Sequence, residues 1–147
     1  MIDKILVAVD GSEHSLKAVD YASSIAAAMK SELHILFVLK SQNLPKGLLN
    51  YADAEHIAGG NKDILEKMAE NIISGAQSRA TSNGTDNIVT EVISGPVARS
   101  IVASAKDKNI DMIVIGTRGM GNIEATLRGG VSHRVELLAK CPVLSVR

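Results

Sequence analysis

The chain of 147 residues carries 16 basic and 16 acidic side chains, mixed along its length for a formal charge of zero. This excludes the basic stripe that recruits nucleic acid and the polybasic helix that recruits a membrane. Tyr21, Phe37 and Tyr51 are the only aromatic residues, too few for a base-stacking platform. Cys141 is the only cysteine, so an intramolecular disulfide is excluded and a reducing, cytoplasmic setting is expected. The length suits one domain, residues 1–147, with a sizeable core. No signal peptide or spanning helix is predicted.

Ile5-Leu6-Val7-Ala8-Val9 is a continuous apolar run rich in branched residues, the pattern of a central parallel strand covered on both faces. It ends at Asp10-Gly11-Ser12, where Ser12 suits a helix N-cap and Glu13 its first turn. Leu16, Val19, Ala22, Ile25, Ala26 and Met29 recur at helical spacing and predict a core-facing helix. Leu33 to Leu39 predicts a second strand. Lys40 to Lys62 holds Pro45, Gly47, Gly59 and Gly60 without a sustained period and reads as a loop or loosely helical excursion. From Asp63 the helical period returns through Ile64, Leu65, Met68, Ala69, Ile72, Ala76 and Ala80, until Ser82-Asn83-Gly84 stops it.

Ile88 to Ile93 carries Thr90 and Glu91 and suits a sheet edge. Gly95-Pro96 turns the chain into a short helix with Val97, Ile101, Val102 and Ala105 inward. Asp111 to Ile115 reads as a central strand, Val131 to Ala139 as a helix and Pro142 to Arg147 as a last strand. Five strands alternating with four helical connections predict an α/β fold, a doubly wound five-stranded parallel sheet with helices on both faces, Rossmann-like. Order 3-2-1-4-5 fits the central and edge patterns, and its ligand crevice opens where the order reverses, at Asp10 and Gly116.

Gly116 to Ser132, GTRGMGNIEATLRGGVS, lies between the fourth strand and the last helix. Glycines allow backbone to approach a ligand closely, and a helix start presents unpaired N–H groups to an anion. Neither the P-loop nor the G-x-G-x-x-G pattern is present. The glycines serve either a phosphate or only the turn from strand to helix. Arg118 could pair with a polyphosphate or be a solvated loop charge, and Arg128 carries the same ambiguity. His133 reads as a helix-surface residue. His14, His34 and His56 lack metal-ligand spacing. No G-x-S-x-G elbow or cysteine–histidine arrangement points to an activated nucleophile.

The spacing Gly116, two residues, Gly119, nine residues, Gly129 resembles the G-x2-G-x9-G-[ST] loop of the ATP-binding universal stress proteins. The resemblance runs through the whole chain: the Lys4 to Ser12 opening, the Gly95-Pro96 turn and the Cys141-Pro142-Val143-Leu144 ending. It departs at Gly130, which stands where that family has Ser or Thr. The resemblance implies that Asp10, after strand one, and Val38, late in strand two, contact adenosine. Asp10 equally suits helix capping, and Val38 the core.

Carried over residue by residue, the implied ATP site comprises Val9, Asp10, Val38, Ile115, Gly116, Arg118, Gly119, Gly129, Gly130, Val131 and Ser132. ATP is the implied cofactor, with Mg²⁺ accompanying the phosphates without a protein-built cage. The implied function is that of an ATP-binding regulatory module of the stress response, working with a protein partner. The alternatives are a dimeric interaction protein without nucleotide and a slow ATPase. Family members commonly dimerise through the last strand, which implies a homodimer along Val143 to Val146.

Overall fold

In the computed structural model, which describes residues 1–40, 60–117 and 130–147, the Ile5–Val9 run lies within the strand Lys4–Val9 (β1). Glu32–Leu39 (β2) pairs with it in parallel on one side and Met112–Gly116 (β4) on the other. Ile88–Ser94 (β3) lies beyond β2, and Val143–Val146 (β5) beyond β4. All four pairings are parallel, and the sheet order is β3-β2-β1-β4-β5. Among the described residues, four helices link the strands: Glu13–Met29 (α1), Gly60–Ser82 (α2), Val97–Asp107 (α3) and Val131–Leu138 (α4).

The pleat sorts the strand side chains into two cores. Ile5, Val7 and Val9 of β1, with Met112 and Val114 of β4, pack against Ala18, Val19, Ala22 and Ala26 of α1 and Ala69, Ile73, Ala76 and Ala80 of α2. Leu6 and Ala8, with Ile113 and Ile115, face Ala98, Ile101 and Ala105 of α3 and Val135 of α4. Ile5, Leu6 and Val7 expose no surface at all. Each such branched side chain contributes about 1.5–3 kcal/mol by leaving water, which is why the continuous apolar run becomes the middle of the sheet.

The helices differ from the periodic reading in instructive ways. On α1 the buried stripe is Ser15, Ala18, Val19, Ala22, Ser23 and Ala26, whereas Met29, at the helix end, is exposed. The serines enter the core because their hydroxyls bond to backbone: Ser23 Oγ donates to the Val19 carbonyl at 2.7 Å. On α2, Ile64 and Met68 are exposed and Ile73 is buried. This helix starts at Gly60, so its first residues, 60–62, belong to the segment whose sequence reads as a loop or loosely helical excursion. The rest of that excursion, residues 41–59, lies outside the described residues. β3, whose residues are half-buried or exposed, does occupy a sheet edge.

A polar network joins α1 to α2. Arg79 donates through Nε and Nη2 to the two oxygens of Asp20, each at 2.7 Å, and Asn83 Nδ2 donates to Asp20 Oδ1 at 3.0 Å and to Ser23 Oγ at 2.9 Å. The Arg79 hydrogen bonds hold the Asp20 carboxyl below its ordinary value of 3.8, although partial burial opposes them. A carboxylate lowered on folding contributes stability that is full above its unfolded value and is lost as pH falls through the folded one. Because the pair is well exposed, its contribution stays under about 1 kcal/mol. Urea denaturation is therefore expected to show Asp20→Asn less stable than wild type at pH 7, with a gap that closes below about pH 3.8. A gap that stays constant with pH would mean that the charge of Asp20 contributes nothing.

Candidate functional site

β1 lies where the sheet changes direction: the chain passes outward from it through β2 to β3 and then returns to β4 on its other side. Helices leaving two adjacent strands toward opposite sides part at their carboxyl ends and leave a crevice there. Ala8 pairs with Ile115 and Val9 with Phe37, so the residues that follow, Asp10, Gly116 and Val38, lie at the carboxyl ends of three neighbouring strands at that edge. α4 begins at the same edge, because the chain leaves the carboxyl end of β4 and must return to the amino end of β5.

The turn from β1 to α1 is locked by short-range hydrogen bonds. Gly11 takes φ of 86°, a left-handed conformation that side chains disfavour. This curls the chain so that Asp10 Oδ1 accepts the Ser12 N–H at 2.9 Å. Ser12 is the N-cap, its Oγ accepting the Ser15 N–H at 3.2 Å. Asp10 thus performs the capping-type role that its position allowed. Its carboxylate is half-buried at the crevice, where a ribose hydroxyl or an exocyclic amine could also donate to it.

Gly116 is explained by packing. A Cβ there would stand 2.7 Å from the backbone carbon of His14, 2.8 Å from its oxygen and 3.0 Å from the Ser15 nitrogen. The end of β4 therefore lies directly against the first turn of α1, and only a glycine permits it. Gly130 is the N-cap of α4 and has no side chain to cap it; the first helical bond runs from the Arg134 N–H to the Gly130 carbonyl at 3.2 Å. The N–H groups of Val131 and Ser132, both half-buried, belong to that first turn.

Val38 and Ile115, 8% and 5% exposed, share the α3–α4 core with the partly buried Ile93 and Val97, an apolar floor at the crevice edge of the sheet. Val9 is turned to the opposite core, against α1 and α2, so only its backbone reaches this edge. Arg118, Gly119, Arg128 and Gly129 lie outside the described residues. His133 is exposed on α4.

Sequence reasoning passed over Ser15 and the packing of His14. Ser15 is buried, and its spacing three residues after Ser12 in a helix start was the available signal. His14 carries a buried Nδ1 without a hydrogen-bond partner among the described residues. Burial raises the Cys141 thiol above its ordinary value, which keeps it protonated at neutral pH and a poor nucleophile.

Gly116→Ala is expected to lower stability by about 1–3 kcal/mol, because its methyl group meets backbone that cannot swing aside as a side chain would. Urea denaturation of the apo protein measures this, and an unchanged midpoint would show that the first turn of α1 yields freely.

The model of the universal stress protein family matches residues 1–147. Universal stress protein YxiE of Bacillus subtilis is 35% identical over 150 aligned positions, covering 100% of both chains. A universal stress protein of Methanocaldococcus jannaschii is 33% identical, covering 98% of this chain and 81% of its own. Among solved structures, a universal stress protein in complex with cAMP superposes with a TM-score of 0.74 at 27% identity, covering 99% of this chain and 96% of that one.

Proposed function

The chain belongs to the universal stress protein family, and we propose that it binds an adenine nucleotide, ATP, in the crevice between the β1–α1 turn and the start of α4, as a nucleotide-dependent regulatory module of the stress response. The observation that carries this reading is the convergence of Asp10, Gly116 and the Gly130-capped start of α4 at the carboxyl ends of two adjacent strands. The cAMP complex of a similar protein supports the adenine nucleotide class. The choice of ATP rests on the spacing of Gly116, Gly119 and Gly129, long enough to wrap a polyphosphate.

In this reading Val38 and its apolar neighbours take the face of the purine, and Asp10 accepts from the ribose or the base. The loop glycines and the N–H groups of Val131 and Ser132 take the phosphates, with Arg118 as a cationic partner and Mg²⁺ as counter-ion. Gly130 removes the hydroxyl that the family's usual Ser or Thr would add at the helix start. The backbone donor remains. A second reading, an interaction protein without nucleotide, is favoured by that one substitution.

Mass spectrometry of nucleotide released from freshly purified, denatured protein separates the two. Recovered ATP is expected; its absence, with no binding by calorimetry, establishes the second reading. Saturating Mg-ATP should stabilise the fold by about 2.7 kcal/mol at a hundredfold excess over Kd, a rise in Tm of roughly 5 to 11 °C. Asp10→Ala should weaken binding about tenfold or more, because a hydrogen bond to a charged group contributes roughly 1.5–3 kcal/mol. Unchanged affinity would confine Asp10 to the turn. Gly130→Ser should tighten binding a few-fold at most.

We further propose a homodimer built on β5. This strand pairs with β4 alone among the described residues, and its outer backbone edge can accept a second copy running antiparallel along Val143 to Val146. Val143, Leu144 and Val146 already contribute to the chain's own cores, so the backbone edge and the exposed Leu137 and Leu138 of α4 would supply the contact. A monomer in sedimentation at micromolar concentration would rule this assembly out.

A further inference from the structure

Building on the nucleotide reading, we propose that Ser15 is a positioning residue for recognition: its hydroxyl sets the place of Asp10 in the crevice. Ser15 is 4% exposed and lies in the first turn of α1. Its Oγ accepts the Asp10 N–H at 3.3 Å and donates to the Ser12 carbonyl at 2.9 Å. One hydroxyl thus holds both sides of the turn that carries Asp10, while Asp10 Oδ1 closes the same turn onto the Ser12 N–H.

The helix start does not require this hydroxyl. Ser12 Oγ already caps the Ser15 N–H, and the Ser12 carbonyl already receives the first helical bond from the Leu16 N–H at 3.0 Å. What the hydroxyl adds is a bond that leaves the helix and reaches Asp10, the residue that follows β1. Ser15 itself is braced from behind, since its backbone nitrogen stands 3.0 Å from where a Cβ on Gly116 would be. The end of β4, the first turn of α1 and the carboxylate of Asp10 therefore form one rigid chain of contacts. Such a support matters because a binding group displaced by a fraction of an ångström forfeits its hydrogen bond while the fold survives.

The test is a double-mutant cycle on full-length protein, read by calorimetric titration with Mg-ATP well below the melting temperature. Ser15→Ala is expected to weaken ATP binding about threefold to tenfold. In an Asp10→Ala background, the same substitution should change affinity by less than about twofold, because the group it positions is gone. Should Ser15→Ala fold poorly, Ser15→Thr and Ser15→Val form a pair of equal volume that differ in the hydroxyl, and the Thr variant is expected to bind more tightly. The ratio of ATP to AMP affinity, which reads the phosphate end, should stay at the wild-type value in Ser15→Ala. Equal losses with and without Asp10, or equal affinities of the Thr and Val variants, would overturn the positioning role and leave the nucleotide reading standing. Absence of ATP binding by wild-type protein would overturn both.

Discussion

Five consecutive apolar residues, Ile5 to Val9, are buried on both faces of the sheet, and every other element takes its place from them. A strand covered on both faces must pair on both edges and send alternate side chains into two separate cores. β2 and β4 satisfy the edges, while the helix pairs α1–α2 and α3–α4 satisfy the faces. Parallel pairing then requires every connection to cross over the sheet, which brings all the strand-to-helix turns to one edge. The crevice is a consequence of that arrangement and of the reversal of strand order at β1.

At that edge two demands meet in the same few residues. The β1–α1 turn has to satisfy backbone donors at a helix start, and it does so with Asp10, Ser12 and Ser15. β4 has to end against this turn, which is possible only because Gly116 has no side chain. Rigidity acquired for folding is thereby available for binding. In the proposed reading, a carboxylate held by its own turn beside an apolar floor would meet an adenine nucleotide already in place. The structural role of Asp10 and the recognition role proposed for it are therefore compatible uses of one geometry.

Membership of the universal stress protein family agrees with the sheet order and with the matches along the whole chain. The position at which this chain departs from the family's loop, Gly130, is also the start of α4, so the departure falls on the helix turn proposed to take the phosphates. Backbone donors do not depend on the side chain that carries them. This is why a glycine at this position is compatible with a phosphate site, at the cost of one hydroxyl contact.

The strands, their parallel alternation with helices and the sheet order were legible in the sequence. Continuous apolar runs such as Ile5 to Val9 and Met112 to Ile115 suit strands covered on both faces, and the charged middle of β3 is more easily accommodated at an edge. The N-cap at Ser12 and the stop at Asn83-Gly84 were equally readable, because capping depends on residues that are close in sequence. The core-facing stripes were legible too, since Val19, Ala22, Ala26, Ala76, Ala80 and Ile101 are buried, but tertiary structure alone decided where each stripe ends and which polar residues join it. Met29, Ile64 and Met68 fit the helical period but lie beyond the neighbouring core, and Ser15 and Ser23 enter it because backbone carbonyls are within reach of their hydroxyls. It also decided the meaning of Gly116. In sequence it is one glycine of a loop; in space it is the contact between β4 and α1, a relation of residues a hundred positions apart that no local pattern encodes.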